Sequence, residues 1–325
     1  MGNKVINLRH KHKVELYPVP PFTFEGTVHK TSHFPETDML YENNIYWQTL
    51  RFKDRIYGIK LKSIGNIEKP IVELTIYSDR DLEDSAIEKI SLEIEYRFDM
   101  KTDIGKFYEE CGNDEILRPV IARWKGMRVS SHTSFYEFLV ITTVLQNATV
   151  GRSVKMLENL FQKYGVIVDF GGKNLSSFWS LMSIFNTSEA ELRSLKLGYR
   201  ARILKRQTEH FVKSNFNENL LRQMPTKDLK SKLLSIYGVG PSSVQYLLFE
   251  VFKRYDALEY IPPWEQKIYS RLLFGKESVE VETILKEIIN MWGRWKMLAM
   301  HYIFEDLFWQ RKNKNIPWLE KLIRL

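Results

Sequence analysis

A short turn in the C-terminal half of the chain contains the first residues whose types and order suggest chemistry. It runs from Gly238 to Pro241 with the sequence Gly-Val-Gly-Pro, and it separates an apolar helical segment from the start of another helix. Glycine tolerates unusual φ values and lets a ligand approach the backbone, so both Gly238 and Gly240 are expected to be required. Proline suits the first turn of a helix, because its missing N–H would have no partner there. The amides expected to point outward from this helix start are those of Ser242, Ser243 and Val244.

Outward amides at a helix N-terminus can bind one phosphate oxygen. The segment 233–254 is therefore interpreted as a helix-hairpin-helix, a backbone device that holds DNA without reading its bases. The alternative is an ordinary turn between two helices, in which a glycine ends the first helix.

A carboxylate, Glu265, stands at the start of the next helix, which is predicted over 264–274. A carboxylate can stabilise a developing positive charge and can orient or activate water. The alternative is a first-turn acid that the helix macrodipole favours. Asp256 is the fallback carboxylate, but it lies before the prolines and lacks this setting.

The composition favours an intracellular protein with a polyanionic partner. The 325 residues carry a formal net charge of +8, and the pI is near 9.2. The single cysteine, Cys111, rules out an internal disulfide framework and a four-cysteine iron–sulfur cluster, and it favours a reducing compartment. No apolar run reaches the roughly 18 residues of a membrane span, and the first residues form a polar, basic arm without a secretory signal. We therefore expect a location in the cytoplasm, a nucleoid or a nucleus, and no membrane partner.

The period of the hydrophobic pattern changes near residue 100. Alternating segments before it predict strands at 56–61, 72–77 and 90–96, as in an antiparallel sheet. Helical periods follow it, and Ser134 with Glu137 predicts a capping box at one helix start. Further helices are predicted after Asp103 and at 152–164, 175–184, 188–195, 200–215, 226–235, 242–254, 264–274, 279–292 and 296–310. The fold class is therefore α+β, with an antiparallel sheet domain over 1–100 and a mostly helical body over 101–325.

An ordered set of four motifs resembles the helix-hairpin-helix DNA glycosylase superfamily. Along the chain they are Glu137–Gly165, the Leu-Gly-Tyr-Arg-Ala motif within Leu195–Val212, the hairpin, and Pro263-Trp264-Glu265. The chain looks most like the alkylbase and 8-oxoguanine branch, because its N-terminal segments follow that branch's order. These segments are Pro20–Val28, Glu42–Phe52 and Asp114–Val129. The resemblance covers most of the chain, and it implies a glycosylase body with a central cleft.

The resemblance also implies that Glu265 is the catalytic carboxylate of a DNA N-glycosylase. The family uses an aspartate in this register, so the charge is kept but displaced by one methylene. Members with lyase activity have a lysine at the position of Ser242, where it forms a Schiff base with the sugar. Serine has no amine, and Lys267 is offset from Glu265 so that a helix turns it elsewhere. Hydrolysis without β-lyase activity is therefore expected.

Aromatic residues near this carboxylate are expected to hold a flipped base, because stacking is worth about 1–3 kcal/mol per base. Tyr246 lies one helical turn after Ser242, where the resemblance places an aromatic against the substrate, and Trp264 adjoins Glu265. The neighbouring candidates are Gln245 and Phe249. Each aromatic could instead belong to the core, the usual place of apolar residues at helical spacing.

Further DNA contacts are implied at three places. Gln146 and Asn147 lie where the family inserts a wedge residue into the gap left by a flipped base; the alternative is a polar pair that ends a helix. Arg200, in a basic stripe, is expected to contact a phosphate or else to lie on a solvated helix face. A monovalent cation, K⁺ or Na⁺, is expected at the hairpin carbonyls of Leu234, Ile236 and Val239.

Together these residues predict a monomeric DNA glycosylase without a required cofactor, acting on double-stranded DNA. The expected substrate is an alkylated, deaminated or oxidised purine. Two alternatives remain open. One is a non-catalytic, lesion-binding descendant of the family, and the other is a glycosylase with lyase activity through a different amine.

Overall fold

The chain combines an antiparallel sheet near its N-terminus with a helical body, so the predicted α+β class is confirmed. The structure, a computed structural model, describes residues 4–29, 37–214 and 216–322. The division into two domains at residue 100 stays a prediction.

Two sheets contain the strands. The strands are β1 (Val5–Asn7), β2 (His10–Leu16), β3 (Met39–Glu42), β4 (Ile45–Phe52), β5 (Arg55–Ser63), β6 (Val72–Ser78), β7 (Val166–Phe170) and β8 (Lys173–Ser177). The larger sheet has the order β2-β6-β5-β4-β3 with antiparallel neighbours, and the smaller has the order β1-β7-β8. The predicted strands 56–61 and 72–77 lie within β5 and β6, where Ile59 is opposite Ile76.

Helices form most of the remaining chain. They are α1 (Phe24–Val28), α2 (Asp84–Arg97), α3 (Gly105–Cys111), α4 (Leu117–Trp124), α5 (Phe135–Leu145), α6 (Val150–Tyr164), α7 (Leu181–Phe185), α8 (Glu189–Leu192), α9 (Arg200–Ser214), α10 (Glu218–Gln223), α11 (Thr226–Leu234), α12 (Pro241–Tyr246), α13 (Pro263–Phe274), α14 (Val281–Trp292), α15 (Lys296–Asn313) and α16 (Pro317–Glu320). A π-helical turn over Leu247–Val251 continues α12, and a 3₁₀ turn over Gly293–Trp295 precedes α15. The predicted capping box at Ser134 and Glu137 is confirmed at the start of α5. The predicted end of α9, Asn215, lies outside the described residues.

The described N-terminal residues, from Val5 to Leu16, contribute two strands to the sheets, so the predicted polar arm is wrong there. Val5–Asn7 pairs in parallel with β7, and His10–Leu16 pairs with β6. Leu16 is buried in the core of the larger sheet and Val14 packs against that core. This apolar face fixes a strand that the neighbouring lysines and histidines conceal in the sequence.

The predicted strand 90–96 is also wrong, because these residues belong to α2. Ile87, Ile90 and Ile94 recur at helical spacing, and the last two are buried against the five-stranded sheet. Arg97 pairs with Glu93 one turn earlier, with Nε 2.7 Å from Oε1. The apparent alternation therefore arises from an amphipathic helix, in which Leu92 is exposed.

The predicted helix 175–184 is wrong in its first half, where β8 pairs with β7. Gly171 and Gly172 form the tight turn between them, with φ values of +56° and +81°. Phe170 packs against Gly58 of the larger sheet, where an added Cβ would come within 2.3 Å of the ring. This hairpin thus covers one face of the N-terminal sheet.

Candidate active site

The turn between α11 and α12 requires glycine at one of its two glycine positions. Gly238 has a φ of +77°, and a Cβ there would lie 2.6 Å from Cγ2 of Ile203. Gly240 has a φ of −107°, which any residue adopts, so its predicted need for an unusual φ is wrong. An added Cβ at Gly240 would meet open space, which leaves room for a ligand to approach the backbone. Pro241 occupies the first turn of α12 as predicted.

Two of the three predicted anion-binding amides remain available. Ser242 and Ser243 lie in the first turn of α12, where amides have no carbonyl one turn earlier to bind. The amide of Val244 donates to the carbonyl of Gly240 at 3.0 Å. The prediction that Val244 binds phosphate is therefore wrong, because its amide makes the first hydrogen bond of the helix.

Side chains from α9 and from the residue that follows α5 hold the hairpin turn in place. Nε2 of Gln207 donates to the Tyr237 carbonyl at 3.1 Å, and Nε2 of Gln146 donates to the Gly238 carbonyl at 2.9 Å. Gln207 lies on α9 and in turn accepts from Thr143 of α5 at 3.0 Å. The turn's position is therefore fixed by the helical body.

Glu265 lies in the first turn of α13 and is buried, with a relative exposure of 1%. Its Oε1 accepts a hydrogen bond from the phenol of Tyr246, at the end of α12. Its Oε2 accepts one from the phenol of Tyr269 at 2.9 Å, one turn further along α13. Within the described part of the chain, no lysine or arginine forms an ion pair with Glu265. The hairpin helix and the carboxylate helix therefore meet at an uncompensated acid.

The electrostatics of this group follow from its surroundings. Burial raises the pKa of Glu265 to about 7, while the hydrogen bonds from Tyr246 and Tyr269 act in the opposite direction. Burial, followed by the nearby carboxylate, raises the pKa of both phenols well above 10, so both remain donors. Glu265 can thus change protonation state near neutral pH.

The other predicted pocket residues have different environments. Trp264 is 45% exposed beside Glu265, and its ring meets Phe304 edge-on at 6.3 Å. Phe249 is fully buried in the helical core, 5.2 Å from the ring of His301, so its predicted place in the base pocket is wrong. It follows Tyr246 by three residues, on the side of the π-helical turn that faces the core.

Gln245 binds the loop that precedes Glu265 and does not line a pocket, so its predicted place in the base pocket is also wrong. Its Oε1 accepts from the amides of Glu259 and Tyr260 at 3.1 and 3.0 Å, and the residue is buried. These amides belong to the loop that leads to α13. An acceptor on the hairpin helix thereby fixes the approach to the carboxylate.

The predicted wedge residues lie beside the hairpin. Gln146 is half-buried and bonded to the turn, whereas Asn147 is exposed with a φ of +48°. The hydroxyl of Tyr199 donates to the Gln146 carbonyl at 3.3 Å and accepts from the Asn147 amide at 3.3 Å. Gln146, Asn147 and the exposed Tyr199 ring therefore form one surface with the turn.

Arg200 does not lie on this surface. It is 2% exposed, its guanidinium donates to the Gln146 carbonyl, and it packs 4.7 Å from the Tyr199 ring. The prediction of a phosphate contact is therefore wrong, because the side chain is used to shape the loop. Arg206, one and a half turns along α9, is exposed over the ring of Tyr237 at 4.4 Å.

The predicted monovalent cation would bind backbone carbonyls, whereas a metal ion would need a cluster of side-chain ligands. Among the three predicted cation ligands, the Ile236 carbonyl accepts from the Val239 amide at 3.1 Å, which leaves one of its lone pairs free. The cation at Leu234, Ile236 and Val239 stays a prediction. In residues 4–29, 37–214 and 216–322, no cluster of three acidic, histidine or cysteine side chains is suited to a metal ion. No helix in these ranges is long and apolar enough to span a membrane.

Two cavities lie away from Glu265. One of about 220 Å³ is lined by Glu25, His29, Trp124, Trp309, Lys312 and Asn313. The other, of about 100 Å³, lies between the segment that starts at Thr37 and helices α5 and α6. Neither is lined by Tyr246 or Trp264.

Three residues of this region were not found from the sequence. Tyr269 carries a detectable signal, since it follows Glu265 at the i, i+4 spacing that places two side chains on one helix face. Tyr199 lies inside the quoted Leu-Gly-Tyr-Arg-Ala motif, but its exposure, 45%, is a tertiary property. Phe304 reaches Trp264 and Tyr269 from α15, and no local pattern links such distant segments.

Known proteins with similar sequences and structures are DNA glycosylases. A DNA-3-methyladenine glycosylase of Bacillus subtilis (strain 168) is 21% identical over 277 residues, 82% of this chain and 88% of the relative. The 3-methyladenine DNA-glycosylase of Archaeoglobus fulgidus superposes with a TM-score of 0.75 at 17% identity, covering 93% of this chain and 99% of its own. The apo 8-oxoguanine glycosylase/lyase of Clostridium acetobutylicum superposes with a TM-score of 0.69 at 17% identity, covering 94% and 99%. No family model matches the chain.

The chain therefore has the fold of these DNA glycosylases, and the resemblance to such enzymes predicted from its sequence is confirmed. Its neighbours include both a 3-methyladenine glycosylase and an 8-oxoguanine glycosylase/lyase.

Proposed function

We propose that this protein is a DNA N-glycosylase that extrudes a damaged purine from double-stranded DNA and hydrolyses its N-glycosidic bond. The observation that carries the proposal is Glu265, a buried carboxylate without an ion-pair partner in the described residues, adjoining the hairpin helix. An unpaired buried charge opposes folding, and such groups are typical of functional sites. The names and folds of the relatives support the same activity.

Glu265 acts on the sugar through its charge. As the N-glycosidic bond breaks, positive charge develops on the sugar, and the ionised carboxylate stabilises it and orients a water molecule. The low dielectric constant around a buried group strengthens this attraction. Because burial raises the pKa of Glu265 to about 7, the ionised form becomes dominant only above neutral pH.

The hairpin and the surface beside it hold the duplex. The free amides of Ser242 and Ser243 bind a phosphate, and Gln146 or Asn147 occupies the gap left by the extruded base. The exposed ring of Trp264, next to Glu265, offers the stacking face for the base. These roles place the duplex against one side of α12.

The positions of the candidate amines support hydrolysis without lyase activity. Ser242 stands where a Schiff-base lysine would be needed, and Lys267 is exposed on another face of α13. The nearest partly buried lysine in sequence, Lys253, donates to the carbonyls of Val129 and Glu250 at 2.9 and 2.8 Å. It is therefore bonded within the fold and does not offer a nucleophile.

A panel of lesion duplexes tests this function. Duplexes with 3-methyladenine, hypoxanthine, 8-oxoguanine or uracil are incubated with the protein, and released base and strand scission are measured separately. We expect release of at least one purine lesion without scission and without a borohydride-trapped adduct. No release from any duplex would contradict glycosylase activity, and a trapped adduct would contradict hydrolysis without lyase activity.

One observation favours a second candidate, a lesion-binding protein without turnover. Glu265 is almost fully buried and both of its oxygens already accept hydrogen bonds. This candidate predicts tighter binding to one lesion duplex than to undamaged DNA, with no base released over prolonged incubation. The same panel separates the two functions.

A further inference from the structure

The carboxylate of Glu265 is held by two phenols that come from different helices. Tyr246 belongs to the hairpin helix α12 and binds Oε1, whereas Tyr269 belongs to α13 and binds Oε2 at 2.9 Å. Each oxygen thus has its own donor. A glutamate held in this way has far less rotational freedom than its three side-chain torsions would otherwise allow.

Tyr269 is itself fixed in place. Its side chain is 3% exposed, and its ring meets Phe304 of α15 edge-on at 5.5 Å. The Tyr246–Glu265–Tyr269 set therefore links α12, α13 and α15. In the described part of the chain, these phenols are the groups whose hydrogen bonds reach the carboxylate.

We propose that Tyr269 is a positioning residue for the reaction: with Tyr246 it forms a phenol clamp that orients Glu265 and keeps it ionisable, so that the longer acid serves in place of aspartate. This inference rests on the proposed function. A phenol donor stabilises the carboxylate form more than the neutral acid, because a hydrogen bond to a charged acceptor is the stronger one. The clamp thereby opposes the effect of burial, which favours the protonated, inactive form.

The pH dependence of single-turnover base release tests the clamp. Wild type is expected to gain activity as pH rises through about 7, as Glu265 ionises. Tyr269→Phe removes one donor, so we expect the rising limb to move up by about one pH unit, with about a fivefold loss at pH 7 and recovery at high pH. A profile that keeps its midpoint, with the rate lowered equally at every pH, would overturn the proposal.

Tyr136→Phe is the matched control. Tyr136 is also a buried phenol, but its hydroxyl bonds to Thr208 at 2.7 Å, away from Glu265. The control is expected to keep the wild-type midpoint. A shift of the midpoint in Tyr136→Phe equal to that in Tyr269→Phe would mean that loss of any buried phenol moves the profile, and would overturn the role of Tyr269.

A second readout does not need catalysis. Unfolding free energies of wild type and Glu265→Gln, measured from pH 4 to pH 9.5, differ by an amount that stops changing above the pKa of folded Glu265. In the Tyr269→Phe background this limit is expected about one pH unit higher. If no lesion is released but the limit moves, the glycosylase function fails and the clamp stands. An unmoved limit overturns the clamp whatever the activity.

Discussion

At the scale of single residues, the central feature is an acid buried without a cation among the described residues. Glu265 keeps one hydrogen bond on each oxygen and lies at the start of α13. Burial raises its pKa from 4.5 to about 7. Because the folded pKa lies above the unfolded one, ionisation of Glu265 opposes folding. This cost is absent below pH 4.5, grows as pH rises toward 7, and is constant above that pH.

Glu265→Gln is therefore expected to stabilise the protein at alkaline pH. Relative to wild type, its unfolding free energy should rise by about 3 kcal/mol between pH 4 and pH 8, since the pKa differs by about 2.5 units. Urea denaturation at a series of pH values measures the difference. Exposed Glu88 provides the control Glu88→Gln, which should show no such trend. A pH-independent difference for Glu265→Gln would contradict an elevated pKa.

The place of Glu265 at the start of a helix could be predicted from the sequence, but the residues that contact its carboxylate could be predicted only in part. The sequence predicts Tyr246 one helical turn after Ser242, and its phenol reaches the carboxylate. It predicts ligand contacts for Gln245, Phe249 and Arg200, yet each of these residues is buried. Spacing along a helix gives the face on which a side chain lies, whereas tertiary packing decides whether that face meets a cleft or the core.

At the scale of elements, the α11–α12 hairpin leads into the helix whose last residue, Tyr246, reaches the carboxylate. Gly238 has a left-handed φ, and Ile203 of α9 packs against it. Gly240 has an ordinary φ and open space beside it. The backbone at position 238 thus requires glycine, whereas the backbone at position 240 does not, although the two glycines look equivalent in the sequence.

Alanine at each glycine separates folding from binding. Gly238→Ala is expected to lower the unfolding free energy by about 1–3 kcal/mol, through backbone strain and the clash with Ile203. Gly240→Ala should leave stability near wild type and weaken DNA binding, since its Cβ would occupy the open space that we propose for a phosphate. Denaturation and binding titrations give the two readouts. A Gly238→Ala protein as stable as wild type would contradict the turn geometry.

The elements found from the sequence are those with strong local signals. The capping box at Ser134 and the proline start of α12 belong to this group. The errors fall where a local pattern has two meanings. Residues 90–96 alternate like a strand, but Ile87, Ile90 and Ile94 fit a helix, and packing against the sheet selects the helix.

At the scale of the whole molecule, strand pairing and side-chain packing connect the N-terminal part of the chain to the part that follows residue 100. β1 pairs with β7, and Phe170 at the end of β7 packs on Gly58 and against the rings of Trp47 and Tyr77. A division of the sequence at residue 100 therefore separates strands that are paired in space. Such pairing between distant segments could not be deduced from local patterns.

Phe170→Ala tests this connection. Phe170 is buried, so the substitution is expected to lower the unfolding free energy by about 3–5 kcal/mol, as cavities in cores do. Val5→Ala is the control on β1, where the side chain is exposed and a change within about 0.5 kcal/mol is expected. Urea denaturation followed by fluorescence and circular dichroism measures both. A Phe170→Ala protein with wild-type stability would show that the contact is not part of the folded core.

The proposed role of Glu265 is tested most directly by single-turnover release of a damaged purine at pH 8, measured for wild type and Glu265→Gln. The lesion is the one that wild type releases fastest, and Glu88→Gln serves as the folded control. We expect a loss of at least about a hundredfold for Glu265→Gln, because the charge of the side chain is removed while its shape is kept. An equal rate in Glu265→Gln and wild type would contradict the central claim that this carboxylate drives the reaction.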